Sequence, residues 1–351
     1  MNLEDIAKLA GVSKSAVSLA LNGKPGVSEN TRRRILKIAE EHGYRPKART
    51  DAQNGDVLTF LACVNTGLVQ QQYYEQPFFR ELIQHIEERC SMHGYSLQYS
   101  TVSVDDVERS PRAAVEKVRG RGCILLGTNL DAGQLAALHQ ALGPHTVVLD
   151  TMCETLPVHV VAINNLMGGY QAGKHLCELG HRRFGYLASA ERIRNFEERR
   201  RGFMAALAEC GVTVADEAVF SASPSMLHAQ AELRERFANH LAAGRDLPTA
   251  VFCECDYIAI GAIKAMQSLG IRVPEDVSVV GFDNISEASI ITPEMTTVHV
   301  EKKRLAYLAV DLLVDSFERE DGVKQKIAVD TRLVIRNTTI RAAAADSPSR
   351  P

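Results

Sequence analysis

The first 45 residues contain the pattern that most constrains what this chain can fold into. Apolar residues at i, i+3, i+4 and i+7 predict a first helix over residues 3–10, and Gly11 stands where a left-handed residue commonly ends a helix. Ser13 can cap a second helix and Ser28 a third. Two short helices joined by a tight glycine turn predict a helix-turn-helix, a unit that enters the DNA major groove. The predicted inward-facing residues are Leu3, Ile6, Ala7, Ala10, Val17, Ala20, Leu21, Ile35, Ile38, Ala39 and His42.

The charge distribution supports an N-terminal DNA-binding head. Residues 1–50 contain ten Lys or Arg and five Asp or Glu, whereas the whole chain has a net charge of −3. A basic head on an acidic body suits phosphate contact by one end only. A structural three-helix cap with a solvated basic face is the alternative, and charge alone does not exclude it. The capped turn, with outward Lys14, Ser15 and Ser18, favours DNA binding.

The remainder of the chain is long enough for two α/β units and alternates short apolar runs with helical patterns. Such alternation predicts parallel sheets with crossover helices. The strand candidates lie at 57–64, 95–101, 122–127, 145–150, 158–163, 184–188, 219–220, 250–253 and 277–281. No apolar run reaches membrane-spanning length and the N-terminus does not resemble a signal peptide, so the sequence predicts a cytoplasmic protein without membrane contact.

Cysteine, histidine and glycine patterns argue against metal sites and catalysis. The eight cysteines are scattered through apolar runs, which predicts free buried thiols rather than zinc ligands. None of the eleven histidines has a metal or catalytic spacing, and no dinucleotide, phosphate-loop or nucleophile-elbow motif occurs. We therefore expect no cofactor, no metal and no enzymatic activity.

Ordered landmarks along nearly the whole chain resemble the lactose-repressor (LacI) family. The head carries Asp5-Ile6-Ala7, Ala10-Gly11-Val12-Ser13, Val17-Ser18, Leu21-Asn22 and Gly43-Tyr44. The body carries Leu179-Gly180-His181-Arg182, Arg201-Gly202-Phe203, Ala259-Ile260-Gly261, Val273-Pro274-Glu275-Asp276-Val277 and Gly281-Phe282-Asp283. This resemblance implies a bacterial transcription regulator that binds double-stranded operator DNA.

The resemblance also implies which residues contact DNA. Lys14 and Ser15 match positions that open the recognition helix and contact bases. Positions that match phosphate or backbone contacts are Ser13, Ser18, Asn22, Ser28, Thr31 and Tyr44. Leu19 departs from the family arginine and can at best pack on a thymine methyl, so the operator should be unusual. Gln53 replaces the leucine that would wedge into the minor groove, where Arg49 can still lie; a polar linker without a DNA role is the alternative.

For the body, the resemblance implies two doubly wound parallel-sheet lobes of the type I periplasmic-binding-protein kind, linked by three chain crossings. The expected limits are a head at 1–46, a hinge at 47–56, a body at 57–340 and a disordered tail at 341–351. The first lobe is expected at 57–160 with 291–320, and the second at 161–290 with 321–340. Ligand-driven closure of such lobes is a natural hinge motion.

Polar residues that follow predicted strands indicate a ligand site between the lobes, because the carboxyl ends of strands face the cleft. Asp150 and Asp283 each directly follow a strand, and Asn195 and Arg199 lie after the strand at 184–188. Such groups suit sugar hydroxyls, or a carboxylate or phosphate. The same residues could instead act as turn, cap or solvated residues. The remaining candidates are Phe78 and Phe79, of which one is expected to line the cleft, and the family-matched positions Gly127 and Cys255.

These observations predict a repressor whose operator affinity is controlled by a sugar-like molecule bound between two lobes. A single head buries too little surface for tight specific binding, and the C-terminus lacks a leucine heptad, so a homodimer is expected. The alternative hypothesis is a cytoplasmic sugar-binding sensor or docking module without operator-specific DNA binding.

Overall fold

The computed structural model describes residues 3–13, 16–17, 20, 27–41, 57–65, 67–319 and 322–343. The chain divides into two compact units, at residues 1–55 and 56–351. The first contains helices α1 (Leu3–Ala10) and α2 (Glu29–Glu41), and residues 16, 17 and 20 between them are also helical. Predictions for Lys14, Ser15, Ser18, Leu19, Asn22, Tyr44, Arg49 and Gln53 fall outside the described residues.

The two predicted serine caps and the glycine turn of the head are confirmed. Ser13 Oγ accepts from Ala16 N–H at 3.2 Å, and Ser28 Oγ accepts from Thr31 N–H at 3.3 Å. Gly11 has a φ of 61°, and the next N–H, from Val12, donates to the carbonyl five residues back at 3.0 Å. This is the bond pattern that closes a helix through a left-handed residue. The turn therefore redirects the chain after α1.

An apolar core holds the helices of the head together. It is formed by Ile6, Ala7, Ala10, Val17, Ala20, Ile35 and Ala39, with Val12, Val27 and Ile38 packed against it. These residues include most of the predicted inward-facing set. Arg34 of α2 donates from Nη2 to the carbonyl of Ala10 at 2.7 Å. It thereby binds α2 to the carboxyl end of α1, where cations are favourable.

The second unit is built on two six-stranded sheets. The first sheet has the order β11-β5-β4-β3-β1-β2 and the second β12-β10-β9-β8-β6-β7. Neighbouring strands are parallel except β12, which runs antiparallel to β10. The strands of the first sheet are β1 (Val57–Val64), β2 (Ser96–Ser103), β3 (Gly122–Leu126), β4 (Thr146–Leu149), β5 (His159–Ile163) and β11 (Lys326–Val329). Those of the second are β6 (Phe184–Ser189), β7 (Val214–Ala222), β8 (Ala250–Cys253), β9 (Ser278–Asp283), β10 (Thr296–His299) and β12 (Arg332–Val334).

Helices cover both sheets and complete the two lobes. The helices of the first lobe are α3 (Pro77–Met92), α4 (Val104–Arg109), α5 (Arg112–Val115), α6 (Ala132–Leu142) and α11 (Lys302–Asp315). Those of the second are α7 (Asn165–Glu178), α8 (Arg194–Glu209), α9 (Met226–Ala242) and α10 (Asp256–Ser268). Short 3-10 turns at Tyr73–Glu75 and Ser286–Ser289 follow β1 and β9.

The chain passes between the lobes three times, after β5, after β10 and after β11. The expected lobe limits differ from the sheets at two strands. β10, expected in the first lobe, pairs with β9 of the second, and only α11 returns to pack on α3. β11, expected in the second lobe, pairs with β5 of the first. The second and third crossings therefore follow β10 and β11, whereas the expected lobe limits placed them before these strands.

Two helices of the second lobe approach at backbone contact. A Cβ on Gly169 of α7 would lie 2.0 Å from the carbonyl oxygen of Arg199, and one on Gly202 of α8 would lie 1.9 Å from that of Leu166. Both glycines are required for this packing, because a methyl group would displace a backbone. The contact holds α8, which carries Arg199, rigidly against α7.

The remaining features concern the ends and the thiols of the body. Ala342 N–H donates to the carbonyl of Leu179 at 2.9 Å, so the ordered body continues beyond residue 340, where a disordered tail was expected to begin. All eight cysteines are free, and all but Cys210 are buried, as predicted. Within the described ranges, no helix is both long and apolar enough to cross a membrane.

Candidate functional site

A small cavity lies between the lobes at the carboxyl ends of the strands. Its free volume is about 30 Å³, which is room for one or two water molecules. Its lining consists of Leu68, Phe78, Phe79, Thr128, Asp150, Ile193, Asn195, Phe196, Arg199, Cys255, Tyr257 and Asp283. The lobes are thus closed over this cleft, and they must separate before an organic ligand can enter.

The predicted ligand residues converge on this cleft with one exception. Phe78, Phe79, Asp150, Asn195, Arg199, Cys255 and Asp283 all line it. Both phenylalanines do so, where only one was expected. Gly127 does not; it packs against Thr151, and its neighbour Thr128 lines the cleft instead.

Asp150 stands at the end of β4 in the first lobe, with a φ of 73° that directs the chain sharply out of the sheet. Its Oδ2 accepts from the Thr128 hydroxyl at 2.5 Å, and its backbone carbonyl accepts from Asn195 Nδ2 of the second lobe at 2.7 Å. Its Oδ1 is buried and receives no hydrogen bond from the described part of the chain. Burial raises the pKa of Asp150 to about 7, although Thr128 and Arg199 act in the opposite direction.

Arg199 and Asp283 form the charged centre of the second lobe. Arg199 Nη2 lies 3.1 Å from Asp283 Oδ1, within ion-pair distance, but no donor among the described residues is aligned for a hydrogen bond to that oxygen. The guanidinium also donates to Asn165 Oδ1 at 2.9 Å and to the carbonyl of Glu254 at 2.6 Å, and it lies 3.6 Å from the centre of the Phe282 ring. Burial raises the pKa of Asp283, and Arg199 partly offsets that effect.

A third buried carboxylate, Asp256, supports the loop that presents Asp283. Its Oδ1 accepts from the Thr297 hydroxyl at 2.6 Å, and its Oδ2 accepts from Ile285 N–H at 2.9 Å. Burial, together with the nearby charge of Asp283, raises the pKa of Asp256. Asp283 and Asn284 have φ values of 114° and 49°, a conformation that residues other than glycine rarely adopt without support. The Asp256 bonds hold this strained turn in place.

Glu254 holds in place the residues that form the second lobe's side of the cleft. Its fully buried carboxylate accepts from the Tyr186 hydroxyl at 2.5 Å, from Ser189 N–H at 2.6 Å and from Arg192 Nη1 at 2.7 Å. Because the backbone carbonyl of Glu254 also accepts from Arg199, this network sets the position of the guanidinium. Glu254 directly follows strand β8, so the strand-end reasoning that predicted Asp150 as a cleft residue could also have predicted Glu254.

Several cleft residues were missed from the sequence. Thr128 follows β3, as strand-end reasoning would allow, but Phe196 and Tyr257 belong to the first turns of α8 and α10 and have no strand-end signal. Tyr257 Oη accepts from Phe78 N–H at 3.2 Å, a hydrogen bond between the lobes. Tyr257 therefore helps to close the cleft as well as line it.

Comparisons with known proteins agree with this architecture. Residues 2–47 match a family model described as bacterial regulatory proteins, lacI family, and residues 174–339 match a periplasmic binding protein-like domain. The chain is 31% identical over 342 residues to the HTH-type transcriptional repressor PurR of Mannheimia succiniciproducens, covering 97% of this chain and 99% of that relative. It is 32% identical over 340 residues to PurR of Proteus mirabilis, covering 96% of each.

Two solved structures are similar over nearly the whole chain. The transcriptional regulator CelR in complex with cellobiose has a TM-score of 0.69 at 28% identity, covering 96% of this chain and 99% of that one. The lac repressor dimer bound to operator and the anti-inducer ONPF has a TM-score of 0.70 at 25% identity, covering 97% and 99%. These matches over nearly the whole chain, together with the two family models, confirm the fold predicted from the sequence.

Proposed function

This chain belongs to the lacI family of bacterial regulatory proteins and is a DNA-binding transcription regulator; on that premise we propose that a neutral, sugar-like effector binds in the cleft. The observation that carries the proposal is a pair of buried carboxylates, Asp150 of the first lobe and Asp283 of the second. Each has an Oδ1 that accepts no hydrogen bond from the described chain. Buried acceptors without a hydrogen bond cost free energy, which Arg199 at 3.1 Å offsets in part for Asp283, so a ligand that donates to both stabilises the closed lobes.

The charges around the cleft favour a neutral ligand over an anion. Asp150, Glu254, Asp256 and Asp283 contribute four buried carboxyl groups, while Arg199 and Lys302 contribute two buried cations. Arg199 is already bonded to Asn165, Glu254 and Asp283, so its donors are directed to the protein rather than to a ligand. A phosphate or carboxylate would add a further negative charge to a cluster in which acids already outnumber cations.

Aromatic side chains supply the apolar walls of the cleft. Phe78 and Phe79 line it from α3, with ring centres 5.3 Å apart at near right angles, and Phe196 and Tyr257 line it from the second lobe. Small-molecule sites are mostly apolar with a few convergent polar groups that fix orientation. Flat aromatic walls with carboxylates at opposite sides suit a ring that has hydroxyl groups on its edge, as in a sugar.

The effector would act by changing the balance between open and closed lobes. Among the described residues, the contacts between the lobes include Asn195 with the carbonyl of Asp150, Tyr257 with Phe78 N–H, and Arg194 with Glu154. A ligand that binds one arrangement better shifts the population toward it. A differential affinity of about 1–3 kcal/mol would change operator affinity roughly 5–150-fold.

For DNA contact we propose the residues that match the family head. Lys14, Ser15 and Leu19 would face base edges, while Ser13, Ser18, Asn22, Ser28, Thr31 and Tyr44 would contact the backbone and Arg49 would lie in the minor groove. Support comes from the capped turn at Ser13 and Ser28, which is the geometry of a helix-turn-helix unit. A leucine at 19 predicts an operator with a thymine where an arginine would read guanine.

We further propose a cytoplasmic homodimer that pairs through the first lobe. β2 is an edge strand, and beside it Tyr74 and Tyr99 are about half exposed. With Tyr73, Ile83 and Thr101 they line an apolar depression of about 520 Å³. Exposed apolar patches of this kind mark interaction sites. A second copy is the expected occupant because two heads suit a pseudo-palindromic operator and the similar lac repressor structure is a dimer.

Selection of operator sequences from a random duplex library, using the full chain, tests the DNA-binding proposal. We expect one enriched pseudo-palindrome, and Lys14→Ala to lose discrimination between it and scrambled DNA. Lys8→Ala is the matched control, because Lys8 is exposed on α1 and is not among the proposed base-contacting residues. Failure to enrich any sequence would favour a ligand sensor without operator-specific binding.

Thermal-shift measurements with cellobiose, glucose and glucose 6-phosphate test the effector class. Cellobiose is included because it is the ligand of the similar CelR complex. A neutral sugar should raise the melting temperature by mass action, and Asp283→Asn should abolish the shift. Stabilisation by the phosphate alone would contradict the proposed neutral effector.

A further inference from the structure

The first residue of α11, Lys302, is the single lysine that is buried among the described residues, with its side chain 1% exposed. Lysine is almost never buried unless its ammonium is paired, because removing the charge from water is costly. Lys302 lies where the chain crosses from β10 of the second lobe to α11 of the first. It belongs neither to the lining of the cleft nor to the predicted ligand residues, so its burial requires a separate explanation.

The ammonium of Lys302 contacts both lobes. Nζ donates to the carbonyl of Asp283 at 3.1 Å and to that of Asn284 at 3.4 Å, both in the second lobe. It also lies 3.2 Å from Glu81 Oε2 of α3 in the first lobe. The two carbonyls belong to the strained turn that presents Asp283 to the cleft. One side chain therefore connects the ligand-facing turn of one lobe to a helix of the other.

We propose that Lys302 is a positioning residue, a tether that holds Asp283 toward the cleft and transmits its displacement to α3. This inference rests on the proposed function, in which Asp283 contacts the effector. An effector that bonds to Asp283 Oδ1, in competition with Arg199, moves Asp283 and shifts the carbonyls held by Lys302. The ammonium then moves Glu81, and α3 moves with it.

The geometry of α3 makes it a suitable receiver of this movement. Phe78 and Glu81 are three residues apart and so share a helix face, and Lys302 Nζ lies 5.9 Å from the Phe78 ring centre. Phe78 N–H is bonded across the cleft to Tyr257 Oη. The same helix carries Ile83, which lines the apolar depression proposed for dimer contact. A displacement of the turn at Asp283 and Asn284 can therefore reach the subunit surface through one rigid helix, α3.

Hydrogen exchange of the ligand-free full chain tests the tether independently of any effector. In Lys302→Met, the amide of Phe78 and peptides spanning 284–286 should exchange about tenfold faster or more, because the turn at 283–284 and α3 lose the charged donor that connects them. Lys303→Met is the matched control, since Lys303 is exposed and contacts Glu88, at 3.5 Å, and the Tyr307 ring rather than the turn at Asp283. Unchanged exchange in Lys302→Met would overturn the tether.

Glu81→Gln keeps the test decisive should the lysine variant fail to fold. Glu81 is partly exposed, so the new amide stays at the surface, and the Lys302 ammonium keeps its bonds to the carbonyls of Asp283 and Asn284. It should accelerate exchange in the same segments by a few fold, and the double variant should show no more acceleration than Lys302→Met alone. Additive effects of the two substitutions would mean that they do not act through one contact, and would overturn the tether.

Operator binding with and without cellobiose tests the transmission. Lys302→Met should bind the selected operator as the unmodified chain does, while the ratio of affinities with and without cellobiose falls toward one. An unchanged ratio would overturn transmission through Lys302. Absence of any cellobiose response in the unmodified chain would instead contradict the proposed sugar effector, and the exchange experiment would still decide whether the tether exists.

Discussion

Arg199 Nη2 and Asp283 Oδ1 lie 3.1 Å apart in the closed interior of the second lobe, and each side chain is less than one-tenth exposed. The pair joins α8 to the end of β9, and Phe282 provides the ring beneath the guanidinium. Buried ion pairs stabilise little in total, but removing one partner leaves an uncompensated charge. The pair therefore makes the cleft sensitive to single substitutions.

Arg199→Ala should destabilise the body by about 3–5 kcal/mol, because Asp283 loses its nearest cation. Arg201→Ala is the control: Arg201 lies on the same helix but is 66% exposed, and its pair with Glu198 at 2.8 Å is a surface pair. That substitution should cost less than about 1 kcal/mol. Urea unfolding of both variants measures the difference, and equal losses would show that Arg199 has no special structural role.

Asp150→Asn should make the body more stable relative to the unmodified chain as the pH rises. The pKa of Asp150 is about 7 in the folded chain, against its ordinary 3.8 when unfolded. Between these values the folded chain holds the extra proton, so the unmodified chain loses stability as the pH rises toward 7. Each pKa unit corresponds to about 1.4 kcal/mol, which gives a penalty of a few kcal/mol above pH 7.

Melting temperatures of the Asp150→Asn variant and of the unmodified chain, each measured at about pH 4.5 and about pH 8, test this effect. The variant should gain several degrees over the unmodified chain at the higher pH and little at the lower. A difference between the chains that does not change with pH would show that Asp150 is ionised throughout.

Gly202→Ala should destabilise the second lobe severely, by about 3 kcal/mol or more, because its methyl group would overlap the Leu166 carbonyl. Gly133→Ala on α6 is the matched helical control. A Cβ there would meet only Asp131 Oδ1, at 3.3 Å, and alanine favours a helix by about 0.5–1 kcal/mol. Calorimetry of both variants tests the packing; similar melting temperatures would mean that α7 and α8 are not in backbone contact.

Tyr99→Asp should convert the proposed dimer into a monomer, because a carboxylate in the apolar depression would be buried without a partner. Val115→Asp provides the comparison, since Val115 is an exposed apolar residue of the first lobe outside that depression. Sedimentation velocity at micromolar concentration distinguishes the two states. A dimer that persists in Tyr99→Asp would move the interface to another surface.

Much of the fold and of the cleft could be predicted because short-range patterns determined them. The caps at Ser13 and Ser28 are local hydrogen bonds between residues three apart. Asp150 and Asp283 follow apolar runs directly, and parallel strands bring their carboxyl ends to one edge. A single physical rule thus brought together residues more than 100 positions apart.

The missed features depend on relationships that no short pattern contains. β10 was expected in the first lobe because the family resemblance assigned residues 291–320 to that lobe as one piece, but the chain crosses between β10 and α11. Tyr257 lines the cleft from a helix start, and Lys302 contacts three residues that are 18 or more positions away. Such contacts depend on how the lobes close over each other, and a linear pattern does not specify that geometry.

The closed cleft also governs how fast an effector can bind. With about 30 Å³ free, a ligand of sugar size is admitted only during intervals when the lobes are apart. The observed association rate should therefore level off at the opening rate as ligand concentration rises. The measured dissociation constant would be weaker than the intrinsic one by the fraction of time spent open. Substitutions that loosen interlobe bonds would then speed binding without touching the ligand.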